Sequence, residues 1–138
     1  MSNRFLVTDT HPLLWYLGNE ENRLPKRVLA AFKAAQEGAN THIWVPAATC
    51  WEISQLMRKT SRLRITVPFA ELVTENFHFQ NLTITELLPD DLILAHNLRF
   101  NNDPFDSLIV ATAQRLDLAL ITADGEISDS KECAVFWK

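Results

Sequence analysis

Residues Asn102–Glu126 read NDPFDSLIVATAQRLDLALITADGE, and this segment indicates the architecture of the whole chain. It begins with an acidic loop, continues through one helix and one short apolar strand, and ends in a second acidic loop. Because a helix and the next strand run in opposite directions, the start of the helix and the end of the strand lie at the same edge of a sheet. Asp106 and Asp124 are therefore predicted to lie close together in space.

Length and composition predict one folded domain spanning residues 1–138, since 47% of the residues are apolar and only three are glycine. The net charge of −4 argues against a general polycation, so a nucleic-acid partner would need a local basic patch or bound metal ions. Cys50 and Cys133 form no CxxC pair and are expected to be buried, reduced thiols. Asp9 comes too early for a signal peptide, and no apolar segment approaches the length of a membrane span. We therefore expect a cytoplasmic protein with no membrane partner.

Short apolar runs alternate with helical patterns along the whole chain. Three runs are apolar at every position, as in strands buried on both faces, and they lie at residues 5–7, 43–45 and 118–121. Two further strands are predicted at 81–87 and 134–137. Helices are predicted at 11–17, 24–37, 47–60, 68–77, 89–97 and 104–116. This alternation predicts an α/β fold, a three-layer α/β/α sandwich around a mostly parallel sheet.

Carboxylates are predicted to gather at one edge of that sheet. Parallel sheets bind ligands at the C-terminal ends of their strands, near a topological switch point. Asp9 and Asp124 each follow a strand, and the helices that carry Glu52 and Asp106 begin near the same edge. Helix capping, a turn and a solvated helix face are the ordinary explanations of Asp106, Asp124 and Glu52 respectively. Asp9 is harder to explain in that way, because an unpaired charge beside a buried strand costs several kcal/mol or shifts its pKa.

Four carboxylates in one place repel one another unless a cation neutralises them. Oxygen ligands with no His or Cys at metal spacing favour Mg²⁺ or Mn²⁺ over Zn²⁺. The scattered histidines are expected at the surface or at helix caps, and Thr10 or His11 is expected to cap the helix at 11–17. Such a site is suited to phosphodiester hydrolysis, in which an ion activates water and stabilises the leaving oxygen. Dehalogenase-type, receiver-type and nucleotide-binding motifs are absent from the sequence.

Three segments together resemble the PIN-domain ribonucleases, and most closely the VapC-type toxins of prokaryotic toxin–antitoxin pairs. They are LVTDTHPLLWYL, VPAATCWEISQLMRKTSRL and DPFDSLIVATAQRLDLALITADGEI. The resemblance spans essentially the whole chain, and DPFDSLIVATA followed by LITAD is its most specific part. It implies a compact α/β/α sandwich and endonucleolytic cleavage of RNA that depends on Mg²⁺ or Mn²⁺.

By motif, the resemblance makes Asp9, Glu52, Asp106 and Asp124 both the metal ligands and the catalytic residues. Asp103 is interpreted mainly as the N-cap of the following helix, with a role as an outer acid left open. The Thr122 hydroxyl either holds an Asp or a metal-bound water, or is simply polar at a strand end. Ser107 stands where relatives often carry Arg, which puts a phosphate contact in doubt.

The resemblance also implies an RNA substrate, a small antitoxin partner and a homodimer. A basic cluster is suited either to RNA contact or to an ordinary solvated helix end, and its members are Arg58, Lys59, Arg62 and Arg64. Two other functions stay open at this point. One is a catalytically silent PIN-like module that binds RNA or protein, and the other is a structure-specific DNA nuclease on the same fold.

Overall fold

The computed structural model of the chain describes residues 3–59, 65–76 and 80–138. Within these residues, five strands form one parallel sheet in the order β3-β2-β1-β4-β5. The strands are β1 (Arg4–Thr8), β2 (Thr41–Pro46), β3 (Leu82–Thr85), β4 (Ala119–Ile121) and β5 (Val135–Phe136). The helices are α1 (Thr10–Leu17), α2 (Lys26–Gln36), α3 (Ala47–Lys59), α4 (Phe69–Glu71), α5 (Pro89–His96), α6 (Pro104–Leu116) and α7 (Gly125–Ser130). No helix in this part of the chain is long and apolar enough to cross a membrane.

The sheet is buried on both faces, which confirms the expected three-layer α/β fold. Leu6 of β1 packs into a core beneath α1 and α2, whereas its neighbour Val7 packs into a second core beneath α6. In β4, Ile121 packs into the first of these cores and Leu120 into the second. This division explains why the central strands are apolar at every position instead of alternating.

The strand order places the switch point between β1 and β4. From β1 the chain builds outward through β2 to β3, and then returns to add β4 and β5 on the other side. At the C-terminal edge, the Asp9 amide donates to the Ile121 carbonyl oxygen at 2.9 Å. The loops after β1 and β4 therefore diverge from neighbouring points, which leaves a crevice between them.

Several element boundaries differ from the prediction. The helix expected from residue 24 begins at Lys26, after a 3-10 turn at Glu21–Arg23. Pro25 favours an extended backbone at the residue before it, and Leu24 has φ −97° and ψ 136°. The helix expected at 68–77 is one α-helical turn that continues as a π-helical turn at Leu72–Asn76. Its predicted last residue lies outside the described residues, as does Thr60 at the predicted end of α3.

Two further expectations were wrong. Asp9 caps α1, and neither Thr10 nor His11 does, because the Asp9 carboxylate accepts from the Thr10 amide. The Asp124-Gly125 pair has the pattern of a simple turn, yet it begins α7, a helix that the sequence pattern did not predict. This helix buries Ile127 against the core of α6, and one buried apolar residue in six gives too weak a period to detect.

Candidate active site

Five carboxylate residues line a single cavity of about 230 Å³ at the switch point of the sheet. They are Asp9, Glu52, Asp103, Asp106 and Asp124. The structure therefore brings together all four acids that the sequence predicted would meet, with Asp103 beside them. His11, Pro12, Trp15 and Ala123 complete the wall, so no Lys or Arg of the described residues lines this cavity. We refer to it below as the acid cavity.

Asp9 is held at the centre of the crevice by two hydrogen bonds. Its Oδ1 accepts from the Thr10 amide at 2.7 Å, and its Oδ2 accepts from the Thr122 hydroxyl at 2.7 Å. Only 8% of Asp9 is exposed. Burial raises the pKa of Asp9, although the bonds from Thr122 and Thr10 oppose that shift. The Thr122 hydroxyl thus holds an Asp, which is one of the roles expected for it.

Glu52 approaches from α3, the helix that begins directly after β2. Its Oε1 accepts a hydrogen bond from the Thr10 hydroxyl. Thr10 therefore links Asp9, through its amide, to Glu52, through its side chain. Burial raises the pKa of Glu52, and the charge of Asp9 adds to that effect. Glu52 is consequently a half-buried site carboxylate and not the solvated helix residue that was its ordinary alternative.

The start of α6 contributes two acids with different local roles. Asp103 is the N-cap, since its Oδ1 accepts from the amides of Phe105 (2.8 Å) and Asp106 (3.2 Å). This confirms the predicted cap. Asp106 is 8% exposed and accepts at Oδ2 from the Asn101 side-chain amide at 2.9 Å. Burial raises the pKa of Asp106 to about 7, and the charges of Asp103, Asp9 and Asp124 add to the shift.

Asp124 closes the cavity from the loop after β4. Its Oδ1 accepts from the Ile127 amide at 3.0 Å, and its own amide donates to the Thr122 hydroxyl oxygen at 3.0 Å. Thr122 is therefore a junction that joins Asp9 and Asp124. Both carboxylates are oriented by the chain itself, and each keeps oxygen lone pairs available to a further ligand.

The side chains as placed do not yet surround an ion. Within residues 3–59, 65–76 and 80–138, no group of three or more His, Cys, Asp or Glu side chains is arranged to hold a metal. The donor set nevertheless fits a hard divalent cation, because every acid supplies oxygen ligands. Burial is the main cause of the raised pKa values of Asp9, Glu52 and Asp106, and the charges of neighbouring acids add to it.

The neutral and aromatic residues that complete the site were not predicted from the sequence. Thr10 and Asn101 orient carboxylates, and His11, expected at the surface or as a cap, is exposed but stands in the cavity wall beside Trp15. The adjacency of Thr10 and His11 to Asp9 was the available signal. The partnership between Thr10 and Glu52 spans 42 residues and had no local signature.

Ser107 and the described members of the basic cluster do not line the acid cavity. Arg58 and Lys59 are exposed at the C-terminal end of α3, and Arg62 and Arg64 lie outside the described residues. The Ser107 hydroxyl donates to the Asp103 carbonyl oxygen at 3.3 Å, within the first turn of α6. Arg58 and Lys59 therefore supply no cation at the cavity wall, and the contact of the cluster with RNA stays a prediction.

Comparison with known proteins places these observations in a family. The model of the PIN domain family matches residues 6–132, which is nearly the whole chain and includes every acid of the cavity. A search of curated proteins finds no match to this sequence.

Solved structures share the fold at low sequence identity. VapBC2 from Rickettsia felis, solved bound to a DNA fragment from its promoter, is similar with a TM-score of 0.70 and 12% identity, covering 97% of this chain and 99% of that one. FitAB bound to an IR36 DNA fragment gives a TM-score of 0.60 and 16% identity, with 95% and 93% covered. PAE2754 from Pyrobaculum aerophilum gives 0.56 and 19%, with 98% and 91% covered.

Proposed function

The chain belongs to the PIN domain family, and we propose that it is a Mg²⁺- or Mn²⁺-dependent endoribonuclease, the toxin of a toxin–antitoxin pair. The observation that carries the proposal is the acid cavity, where five carboxylate residues converge without a Lys or Arg among the described residues that line it. A module that only bound RNA or protein would gain little from such repulsion.

In the proposed reaction, Asp9, Glu52, Asp106 and Asp124 hold the divalent ion. When bound, the ion lowers the pKa of a water molecule and neutralises charge on the phosphodiester. Thr122 and Thr10 hold Asp9 and Glu52 in place, and Asn101 orients Asp106. Such partners behind metal ligands typically affect metal affinity or activity by about 10- to 100-fold. Hydrolysis is expected to leave a 5′-phosphate and a 3′-hydroxyl.

The antitoxin and the homodimer belong to the same proposal. Support comes from the resemblance to VapC-type toxins and from the likeness to VapBC2 and FitAB. A small protein encoded beside this one should bind the chain and block cleavage. Co-expression followed by affinity capture tests the pair, and sedimentation of each species tests the homodimer.

Cleavage of structured RNA by the purified full chain tests the activity. We expect cleavage with Mn²⁺ or Mg²⁺, none with EDTA, and a loss of at least about a hundredfold in Asp9→Asn and Asp106→Asn. Asp117→Asn is the matched control, because Asp117 is exposed at the other end of α6 and its φ of 55° suits Asn.

Three results would overturn parts of the proposal. Activity that survives EDTA, or that survives both substitutions, would contradict the metal mechanism. Cleavage of DNA in preference to RNA would favour the structure-specific DNA nuclease. No cleavage of either, with the antitoxin removed and Mn²⁺ present, would favour the silent binding module.

A further inference from the structure

We propose that an arginine–aromatic strip, running from the acid cavity to the opposite edge of the sheet, binds the RNA strand beyond the cleavage site. The strip consists of Trp15, Arg23, Trp137, Phe136, Arg27 and Arg4. The proposal rests on the proposed ribonuclease function and adds to it a path for the substrate. Its parts come from residues 4–27 and 136–137, which only the fold brings together.

The strip begins in the wall of the acid cavity. Trp15 lines that cavity and is partly exposed, and the Arg23 guanidinium lies 4.4 Å from the centre of its ring. Trp137 continues the surface, with its ring centre 6.3 Å from that of Trp15. The contact is tilted, at 57° between the ring planes, and Trp137 is itself partly exposed. Two indoles therefore adjoin the site where a phosphodiester would be cut.

The strip ends at two arginines that share one ring. The Cζ atoms of Arg4 and Arg27 lie 4.7 Å and 4.0 Å from the centre of the Phe136 ring. Because both are so close to the same ring, the two Cζ atoms are no more than 8.7 Å apart, so one RNA strand can place a phosphate at each guanidinium. They border a cavity of about 720 Å³ at the N-terminal edge of β1 and β2, with a floor formed by alanines of α2.

The two end arginines are not neutralised by acidic side chains. Arg23 has Glu20 at 3.6 Å, but neither Arg4 nor Arg27 forms a salt bridge to an acidic side chain of the described residues. Arg27 donates one bond, at 3.0 Å, to the main-chain oxygen of Lys138. A guanidinium has five N–H donors, so most of the donors of both residues stay available to a ligand.

A single RNA strand is the ligand that matches this surface. Proteins bind single strands through cations that contact the backbone and aromatic rings on which bases stack. All the cation–π pairs found among the described residues lie on this strip. The acid cavity repels phosphates when no ion is bound, and the net charge of the chain is −4, so affinity for RNA must come from a local surface of this kind.

Fluorescence anisotropy with the full chain in EDTA tests the strip independently of cleavage. The probes are unstructured RNAs of about 4 and about 16 nucleotides, the span of typical single-strand sites. Arg4→Gln/Arg27→Gln should weaken binding of the long RNA roughly tenfold at low salt and reduce its salt slope by about 1.4, or 0.7 per phosphate contact. The short RNA should lose little affinity. Trp137→Leu should weaken the long RNA by about fivefold or more through lost stacking.

The matched control is Arg99→Gln/Lys131→Gln, which removes the same charge from two exposed positions outside both the strip and the basic cluster. If the positive charge binds RNA, Arg4→Lys/Arg27→Lys should retain most of the salt slope of the unmodified protein. If the Gln pair loses affinity only because packing on Phe136 is lost, the Lys pair should lose it too. Thermal melting of each variant identifies any that do not fold. In metal-dependent cleavage, the Gln pair should raise KM for the long RNA and leave kcat unchanged.

Unchanged affinity of the Arg4→Gln/Arg27→Gln variant for the long RNA, or an equal loss in the Arg99→Gln/Lys131→Gln control, would overturn the proposal. A second result would also overturn it. If an acidic peptide competed with RNA, and the Arg4→Gln/Arg27→Gln variant lost affinity for the peptide but not for RNA, the strip would be a protein-binding surface. Failure of the proposed ribonuclease function would give a different result: the unmodified protein would bind RNA in the anisotropy assay but would not cleave it.

Discussion

Asp91 on α5 and Asp9 after β1 are both buried, and the two carboxylates differ in what faces them. Asp91 is fully buried and accepts from Arg115 Nε at 2.5 Å and from the Leu88 amide at 2.9 Å. Arg115 also donates to the Glu86 carbonyl oxygen at 3.2 Å. Asp9 has neutral donors only, together with other acids across the cavity.

The presence of a facing cation distinguishes Asp91, which stabilises the fold, from the acids of the cavity, which we propose bind a ligand. The Asp91–Arg115 pair ties α5 to α6, and its charges cancel within the chain. In the acid cavity, His11 is the one basic side chain among the described residues of the wall, and it faces five acids, so we propose that further positive charge comes from a bound ion. Burial and hydrogen bonding alone do not reveal which kind of acid is present, but the presence or absence of a facing cation does.

The largest expected effect comes from breaking the paired site. Arg115→Met leaves Asp91 buried without its cation and should lower the free energy of unfolding by about 3–5 kcal/mol. Urea denaturation measures the loss. Arg58→Met, at an exposed position, should change stability by no more than about 0.5 kcal/mol. Equal stability of the two variants would show that the Asp91–Arg115 pair does not stabilise the fold.

The same kind of change at the unpaired site should have the opposite consequence. Asp106→Asn removes a buried charge that no cation faces, so stability at neutral pH should be unchanged or higher. Nuclease activity should nevertheless fall by at least about a hundredfold. Urea denaturation and cleavage assays of the same preparation measure both. A clear loss of stability would mean that Asp106 serves the fold as Asp91 does.

The next effect tests the junction between Asp9 and Asp124. Thr122→Val keeps the shape but removes the hydroxyl that donates to Asp9 and accepts from the Asp124 amide. Activity should fall by about 10- to 100-fold, measured as kcat/KM at saturating Mn²⁺. Thr74→Val is the control, because its exposed hydroxyl bonds only to the Ala70 carbonyl oxygen. Equal activity of both variants would show that Thr122 is not needed to orient Asp9.

The last comparison concerns the pH dependence of stability without metal. The pKa of Asp106 is raised from 3.8 to about 7 in the fold. The unfolded chain therefore releases this proton first, and Asp106 should lose its contribution to stability as pH rises from about 4 to about 7. Thermal melting in EDTA across that range measures the decline. In Asp106→Asn the curve should be flatter, and an identical slope would contradict the assignment.

The sequence alone predicted the features that local patterns determine. The fully apolar strands, the Asp103 cap and the edge where the acids gather all result from rules that act within about twenty residues. The features it did not predict depend on contacts between distant segments. The role of Thr10 depends on its hydrogen bond to Glu52. The roles of Arg4 and Arg27 depend on their contacts with the Phe136 ring. Neither pairing leaves a periodic trace along the chain.

Helix α7 escaped prediction for a different reason. Asp124 before Gly125 is a common turn signal, and the same Asp is equally suited to capping a helix. The two interpretations differ only in the residues after Gly125, where a single apolar residue, Ile127, is buried. The distinction is settled by the space that α6 leaves beside β4, which the local sequence does not specify.

The central position of β1 also determines when the acid cavity can form during synthesis of the chain. Asp9 leaves the ribosome early, but its neighbour in the sheet is β4, at Ala119–Ile121. At about 5–20 residues per second, synthesis takes several seconds to more than twenty seconds to reach that strand. Until then Asp9 lacks Thr122, Asp106 and Asp124 around it. A nascent chain therefore lacks the acid cavity until β4 and the residues that follow it have been made.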